Sequence, residues 1–170
     1  MRDLPATICV GLYSIHRREL SRARKGSNIM PLFETLATSF VAILLGGMIF
    51  FPSVVAPTVF KSLDQDSAGQ FLRRLFPAYY VFIIITSLFG GGLLLSKPML
   101  ATALFIVAAS TILVRQILVP KINAWRDREL AGDKAAAALF NAGHRASVII
   151  NLVQLAAIIW VFWRLVSAAQ

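Results

Sequence analysis

The chain has 170 residues, 58% of them hydrophobic, and a formal net charge of +9. Such a charge in a soluble protein would suggest nucleic acid, but no basic stripe is interleaved with aromatics, so nucleic acid is excluded as a partner. Cys9 is the single cysteine, which excludes an intrachain disulfide and any cysteine-based metal site.

Residues 1–29 form a basic arm with Arg17, Arg18, Arg22, Arg24 and Lys25 and no apolar period. Its Leu4–Tyr13 stretch is too short to span a bilayer and lacks a cleavage site, so a signal peptide is not expected. Arg17-Arg18 is followed by charged residues rather than an apolar run, which argues against a twin-arginine signal. Met30, directly before Pro31, makes a natural start, and the expected division is an arm over 1–29 and a membrane domain over 30–170. The other reading of the arm is a basic segment that grips lipid.

Four stretches carry no charge at all: Thr35–Phe60, Leu75–Ser96, Pro98–Val114 and Ala146–Trp163. A helix needs roughly 20 mostly apolar residues to cross a bilayer, so each can span or nearly so. The expected fold is therefore all-α, an integral membrane four-helix bundle. Span one is placed at 32–56, closed by Pro52 and Pro57. Thr58–Arg74 reads as a short interfacial helix, with Phe60, Leu63, Phe71, Leu72 and Leu75 on the membrane and Lys61, Asp64, Asp66 and Arg73 in water. Span two opens at Pro77 and ends near Leu95, followed by a tight turn at Ser96-Lys97-Pro98. Span three covers 99–119 and stops at Pro120; the third connection, Lys121–Asp133, is charged and carries Trp125 at the interface. The last helix runs from Lys134 to Ala168 and reaches roughly 52 Å, against about 30 Å of hydrocarbon.

Four spans put the first and third connections on one face. Pro57, Phe60, Asp64, Asp66, Tyr79, Tyr80, Arg115, Asp127, Glu129, Asp133, His144 and Arg145 gather there, leaving Glu34, Lys97 and Arg164 opposite with the arm. Counted from Met30, the basic residues favour that polar face as cytoplasmic, with both termini outside; the arm nearly cancels the bias. Thr38, Ala42 and Gly46 form a small-residue stripe suited to helix contact, and Gly90-Gly91-Gly92 permits close crossing or bending in span two. Ala101, Ala108, Thr111 and Arg115 share one arc of span three. His144, Ser147, Asn151 and Gln154 share an arc of about 80° on the last helix, where amides and hydroxyls serve as interhelical glue.

Arg115 ends an apolar helix on its small-residue face. It either snorkels, pairs with Asp127, Glu129 or Asp64, or binds an anion. His144 is the one histidine outside the arm: a packing residue, a proton relay or a single axial haem ligand, but not a zinc site, which needs three or four ligands. Gly90-Gly91-Gly92 is no phosphate loop, because it sits mid-span without a following Lys-Ser/Thr, and no Gly-x-Ser-x-Gly elbow occurs. Asp64 and Asp66 read as ordinary surface charge.

Pro57-Thr58-Val59-Phe60 and Leu75-Phe76-Pro77-Ala78-Tyr79, then Arg115 with Pro120, Arg126-Asp127 and His144-Arg145-Ala146-Ser147 with Asn151, resemble the transmembrane protein 205-like family over about residues 32–168. That resemblance implies a four-helix membrane domain without assigned activity, so no catalytic residues carry over. The small haem-dependent protoporphyrinogen oxidases carry a histidine early in the first span, and Glu34–Val41 has none. The expected protein is a non-enzymatic multi-pass component of the bacterial inner membrane, without cofactor or metal. Its polar face acts as a binding or transport-accessory module for an anionic lipid headgroup, a small anion or a partner. The candidate residues are Arg115, His144, Arg145, Asn151, Tyr79 and Phe60. Four spans would form a transport pathway only as a homo-oligomer. The alternative is a haem-dependent membrane oxidoreductase that uses His144.

Overall fold

The computed structural model describes residues 31–168; the arm and the expected start at Met30 lie outside the described residues. Four helices follow one another: α1 Pro31–Ser62, α2 Gln65–Leu93, α3 Pro98–Leu130 and α4 Lys134–Ser167. All four are long and apolar enough to cross a membrane, which makes this a multi-pass membrane protein of the all-α class read from the sequence. Each connection is short and has a local cause. The Asp64 carboxylate accepts from the Asp66 and Ser67 amides at 3.1 and 3.0 Å and caps α2. Pro98 opens α3 where its missing N–H is harmless. Gly132, at φ 97°, closes α3: its amide donates to the Glu129 carbonyl and the Asp133 amide to that of Arg128. Asp133 then caps α4 through the Ala135 and Ala136 amides.

Three helix boundaries, at two of the connections, differ from the sequence reading. The polar segments of the first and third connections are helical, but they are continuous with the spans. Thr58–Arg74 is divided between the end of α1 and the start of α2, so Pro77 lies inside α2 rather than at its opening. Neither Pro57 nor Pro120 ends its helix. Each instead follows a π turn, Phe51–Val55 in α1 and Val114–Leu118 in α3. The Ala56 amide donates to the Phe51 carbonyl, and the Val119 amide to that of Val114. A proline ring pushes against the carbonyl four residues back, and here those carbonyls, Ser53 and Gln116, sit within the widened turns. Such local widening keeps a proline inside a continuous helix.

A π turn adds one residue to the helix, so the buried face slips. The buried face of α1 runs Ala37, Val41, Leu44, Met48, Phe51, a heptad pattern that would continue through Val55 to Thr58. The residue buried is Val59. In α3 the pattern Leu100, Leu104, Val107, Thr111, Val114 would continue through Leu118 to Lys121, and the residue buried is Ile122. The expected small-residue stripe is corrected by the same heptad: Ala42 and Gly46 lie on the outer surface, because the large residues claim the inner face.

Consecutive helices are keyed by glycine. A Cβ on Gly47 would run into the Phe82 ring, one on Gly91 would lie 2.8 Å from Phe105, and one on Gly143 2.7 Å from Trp125. Each pair, α1–α2, α2–α3 and α3–α4, therefore seats an aromatic ring of one helix against a bare backbone of the other. At one end of the bundle Lys97 of the α2–α3 turn binds Glu34 of α1 at 2.8 Å. At the other, Arg73 of α2 binds Asp127 of α3 at 2.7 Å. The helices measure roughly 44 to 51 Å, so all of them, not α4 alone, outrun the hydrocarbon. The outward faces are apolar, as at Ile106, Leu113 and Val153.

Candidate functional site

The π turns lie in α1 and α3, which run in the same direction, so both fall at the polar end of the bundle. Phe51, the first residue of the α1 turn, stacks on Tyr79 of α2 at 4.2 Å between ring centroids and lies 5.3 Å from Phe76. Tyr80 closes this aromatic cluster, 5.9 Å from both Phe76 and Tyr79. One layer deeper, Gln154 of α4 donates to the hydroxyls of Ser110 and Thr111 of α3 at 2.8 and 3.1 Å. Both hydroxyls in turn donate to their own helix, to the Ile106 and Val107 carbonyls. That layer is satisfied and structural.

The layer above it is not. One turn beyond Thr111 on α3 stands Arg115, and one turn before Gln154 on α4 stands Asn151; since the two helices run antiparallel, these residues share a level. The Asn151 amide comes close enough to the Tyr79 hydroxyl to interact with it, but at no hydrogen-bonding geometry. Tyr79 is 9% exposed, and its hydroxyl has no hydrogen bond. The Arg115 Nε is likewise buried without a partner. Buried polar groups are ordinarily paired, and the exceptions mark strain or a site. The one other buried side chain of this kind among the described residues, Ser87, lies deeper in α2.

The carboxylates expected to neutralise Arg115 are engaged elsewhere. Asp127 holds Arg73, Glu129 holds Arg126 at 2.8 Å, and Asp64 caps α2. The Ser67 hydroxyl and amide hold the Asp64 carboxyl below its ordinary value. The Arg128 guanidinium, at 2.6 Å, does the same for Asp133. No carboxylate among the described residues pairs with Arg115.

Of the six residues singled out in the sequence, the structure brings Tyr79, Arg115 and Asn151 to one level. His144 and Arg145 are exposed higher on α4, and Phe60 is 59% exposed near the end of α1. His144 stacks on Phe140 at 6.1 Å, and Arg126 lies over the same Phe140 ring at 5.3 Å, so the imidazole belongs to a surface stack rather than the bundle interior. The face of α4 that meets α3 at this height is centred on the neighbouring Gly143, which puts His144 at its edge. Phe51 and the two π turns were missed by sequence reasoning; a proline inside an uncharged run was the available signal.

Residues 39–131 match the family described as Domain of unknown function (DUF4149). A protein of Aquifex aeolicus (strain VF5), described only as uncharacterized, is 31% identical over 126 residues, covering 70% of this chain and 86% of that one. The chain belongs to the DUF4149 family. No solved structure matches it. Neither match carries the narrower family name suggested by the motifs. The DUF4149 segment contains both π turns, the aromatic cluster, Tyr79 and Arg115, and ends with α3. Asn151, on α4, lies beyond it.

Proposed function

We propose that this DUF4149 protein is a non-enzymatic binding or transport-accessory module of the bacterial inner membrane. Its site is the level of Tyr79, Arg115 and Asn151, and its ligand bears hydrogen-bond-accepting oxygens with negative charge. The observation that carries this reading is the pair of unpartnered buried groups, the Tyr79 hydroxyl and the Arg115 Nε, on facing helices at one height. Arginine is a donor only, so the complement of this level is an acceptor, and an anion is the best one in a site of low polarity. The order of the Pro57, Tyr79, Arg115 and Pro120 motifs also supports kinship with the transmembrane protein 205-like proteins within this reading.

The test is thermal unfolding of the full chain in mild detergent with a panel of inorganic anions and phospholipids. At least one ligand is expected to raise the melting temperature of the wild type and not that of Arg115→Gln or Tyr79→Phe. If nothing in the panel stabilises the protein in an Arg115-dependent way, the reading is wrong.

A further inference from the structure

The depth of the site identifies the class of its ligand. With the Glu34–Lys97 ion pair set at one edge of a hydrocarbon core about 30 Å thick, Phe51, Tyr79, Arg115 and Asn151 lie roughly 21 to 27 Å up along the helices, just inside the far edge. Phospholipid phosphates and glycerol esters lie immediately beyond that edge. Three basic residues stand there on three different helices, roughly 8 to 9 Å above the site: Arg74 on α2, Lys121 on α3 and Arg145 on α4. All three are exposed, and none forms a salt bridge among the described residues. Around Arg115 the outer surface is apolar, with Ile112, Leu113 and Ile117 exposed.

We propose that the site binds the phosphodiester of an anionic membrane phospholipid, entering sideways from the bilayer rather than from water. The acyl chains lie on the apolar outer surface. The phosphate sits between the collar of Arg74, Lys121 and Arg145 above and the donors of Arg115 and Tyr79 below. Arg115 supplies a guanidinium donor, and Tyr79 a hydroxyl donor held by its stack on Phe51. The collar attracts the anionic leaflet and sets the preference for a headgroup without a positive charge. The inference rests on the binding reading above and narrows it from an anion to a lipid.

The experiment is native mass spectrometry of the full chain in detergent, titrated with phosphatidylglycerol, phosphatidylcholine and inorganic phosphate. One phosphatidylglycerol is expected to bind, with affinity at least tenfold lower in Arg115→Gln and in Tyr79→Phe. The triple variant Arg74→Gln, Lys121→Gln, Arg145→Gln should lose the preference for phosphatidylglycerol over phosphatidylcholine. Circular dichroism of lipid-free samples controls for folding. If Arg115→Gln does not fold, Tyr79→Phe, which removes one hydroxyl, decides. Arg115-dependent binding of inorganic phosphate without any phospholipid would overturn the lipid assignment and leave the anion reading standing. Phospholipid binding indifferent to both Arg115 and Tyr79 would overturn both.

Discussion

Gly143 offers the sharpest test of how α3 and α4 are held together. A Cβ there would meet Trp125 Cζ3 at 2.7 Å, Ile122 Cγ1 at 3.0 Å and Trp125 Cε3 at 3.2 Å. Carbon atoms prefer separations of about 3.5–4.0 Å, so the indole must retreat by most of an ångström. It cannot simply rotate, because Ile122 crowds the same point. Overpacking of this kind costs about 1–3 kcal/mol, while alanine in place of glycine in a helix recovers about 1 kcal/mol. Gly143→Ala should therefore lie between neutral and about 2 kcal/mol destabilising. The control is Gly69→Ala in α2, where nothing lies within 4 Å of the added carbon and only the gain remains. The two variants should differ by about 1–3 kcal/mol in denaturant unfolding followed by tryptophan fluorescence in detergent. Adding Trp125→Phe, which shortens the ring, should recover at least half of the deficit. Equal shifts for Gly143→Ala and Gly69→Ala would refute the ring-on-glycine contact.

Gln154→Leu should cost about 0.6–1.7 kcal/mol and no more, since Ser110 and Thr111 keep their backbone acceptors; unfolding in detergent measures it. Asp64 and Asp133 have carboxyls held below their ordinary value of 3.8, so each contributes stability that is fully present above that pH. It is lost as the pH falls below 3.8 through the lowered native values, and the amide shifts of Ser67 and Ala135 should move over that range in the wild type but not in Asp64→Asn and Asp133→Asn, respectively. Arg73→Gln should cost only about 0.2–1 kcal/mol, because its partner Asp127 is exposed to solvent. Deleting Ile117 together with Pro120→Ala should leave the melting temperature close to that of Pro120→Ala alone, since it removes the extra residue of a π turn. Deleting Ile106, in the regular part of α3, should rotate everything after it out of register and prevent folding.

The four helices and the polar end were legible because lack of charge over a span is a one-dimensional property that needs no knowledge of neighbours. Arg115 was legible for a related reason: Ala101, Ala108 and Thr111, which share its arc, are all buried against the bundle. The helix ends were not. Reading proline as a stop supposes a regular helix, and before Pro57 and Pro120 the widened turns take up the carbonyl that the ring would otherwise strike. The stripe of Thr38, Ala42 and Gly46 misled because a four-residue spacing is close to the helical period, yet the large side chains beside it form the better heptad. The place of His144 at the edge of its face was not legible because the face of α4 is set by where the Trp125 ring lies, a fact about α3.

The π turns connect these failures to the site. Continued without interruption, the buried faces of α1 and α3 would carry Thr58 and Lys121 into the bundle, and a buried unpaired lysine would cost several kcal/mol. The extra residue turns Lys121 outward and brings Ile122 in, so the collar around the site gains its α3 member through the same widening that accommodates Pro120. The widening in α1 begins at Phe51, the residue stacked on Tyr79, and brings Val59 inward in the same way. One backbone device, used twice at one height, thus separates regular heptad packing below from the level of Tyr79 and Arg115, with a basic rim above. A protein that only needed to span the membrane could have kept its heptads unbroken; this chain departs from them at the level where Tyr79 and Arg115 are left without partners.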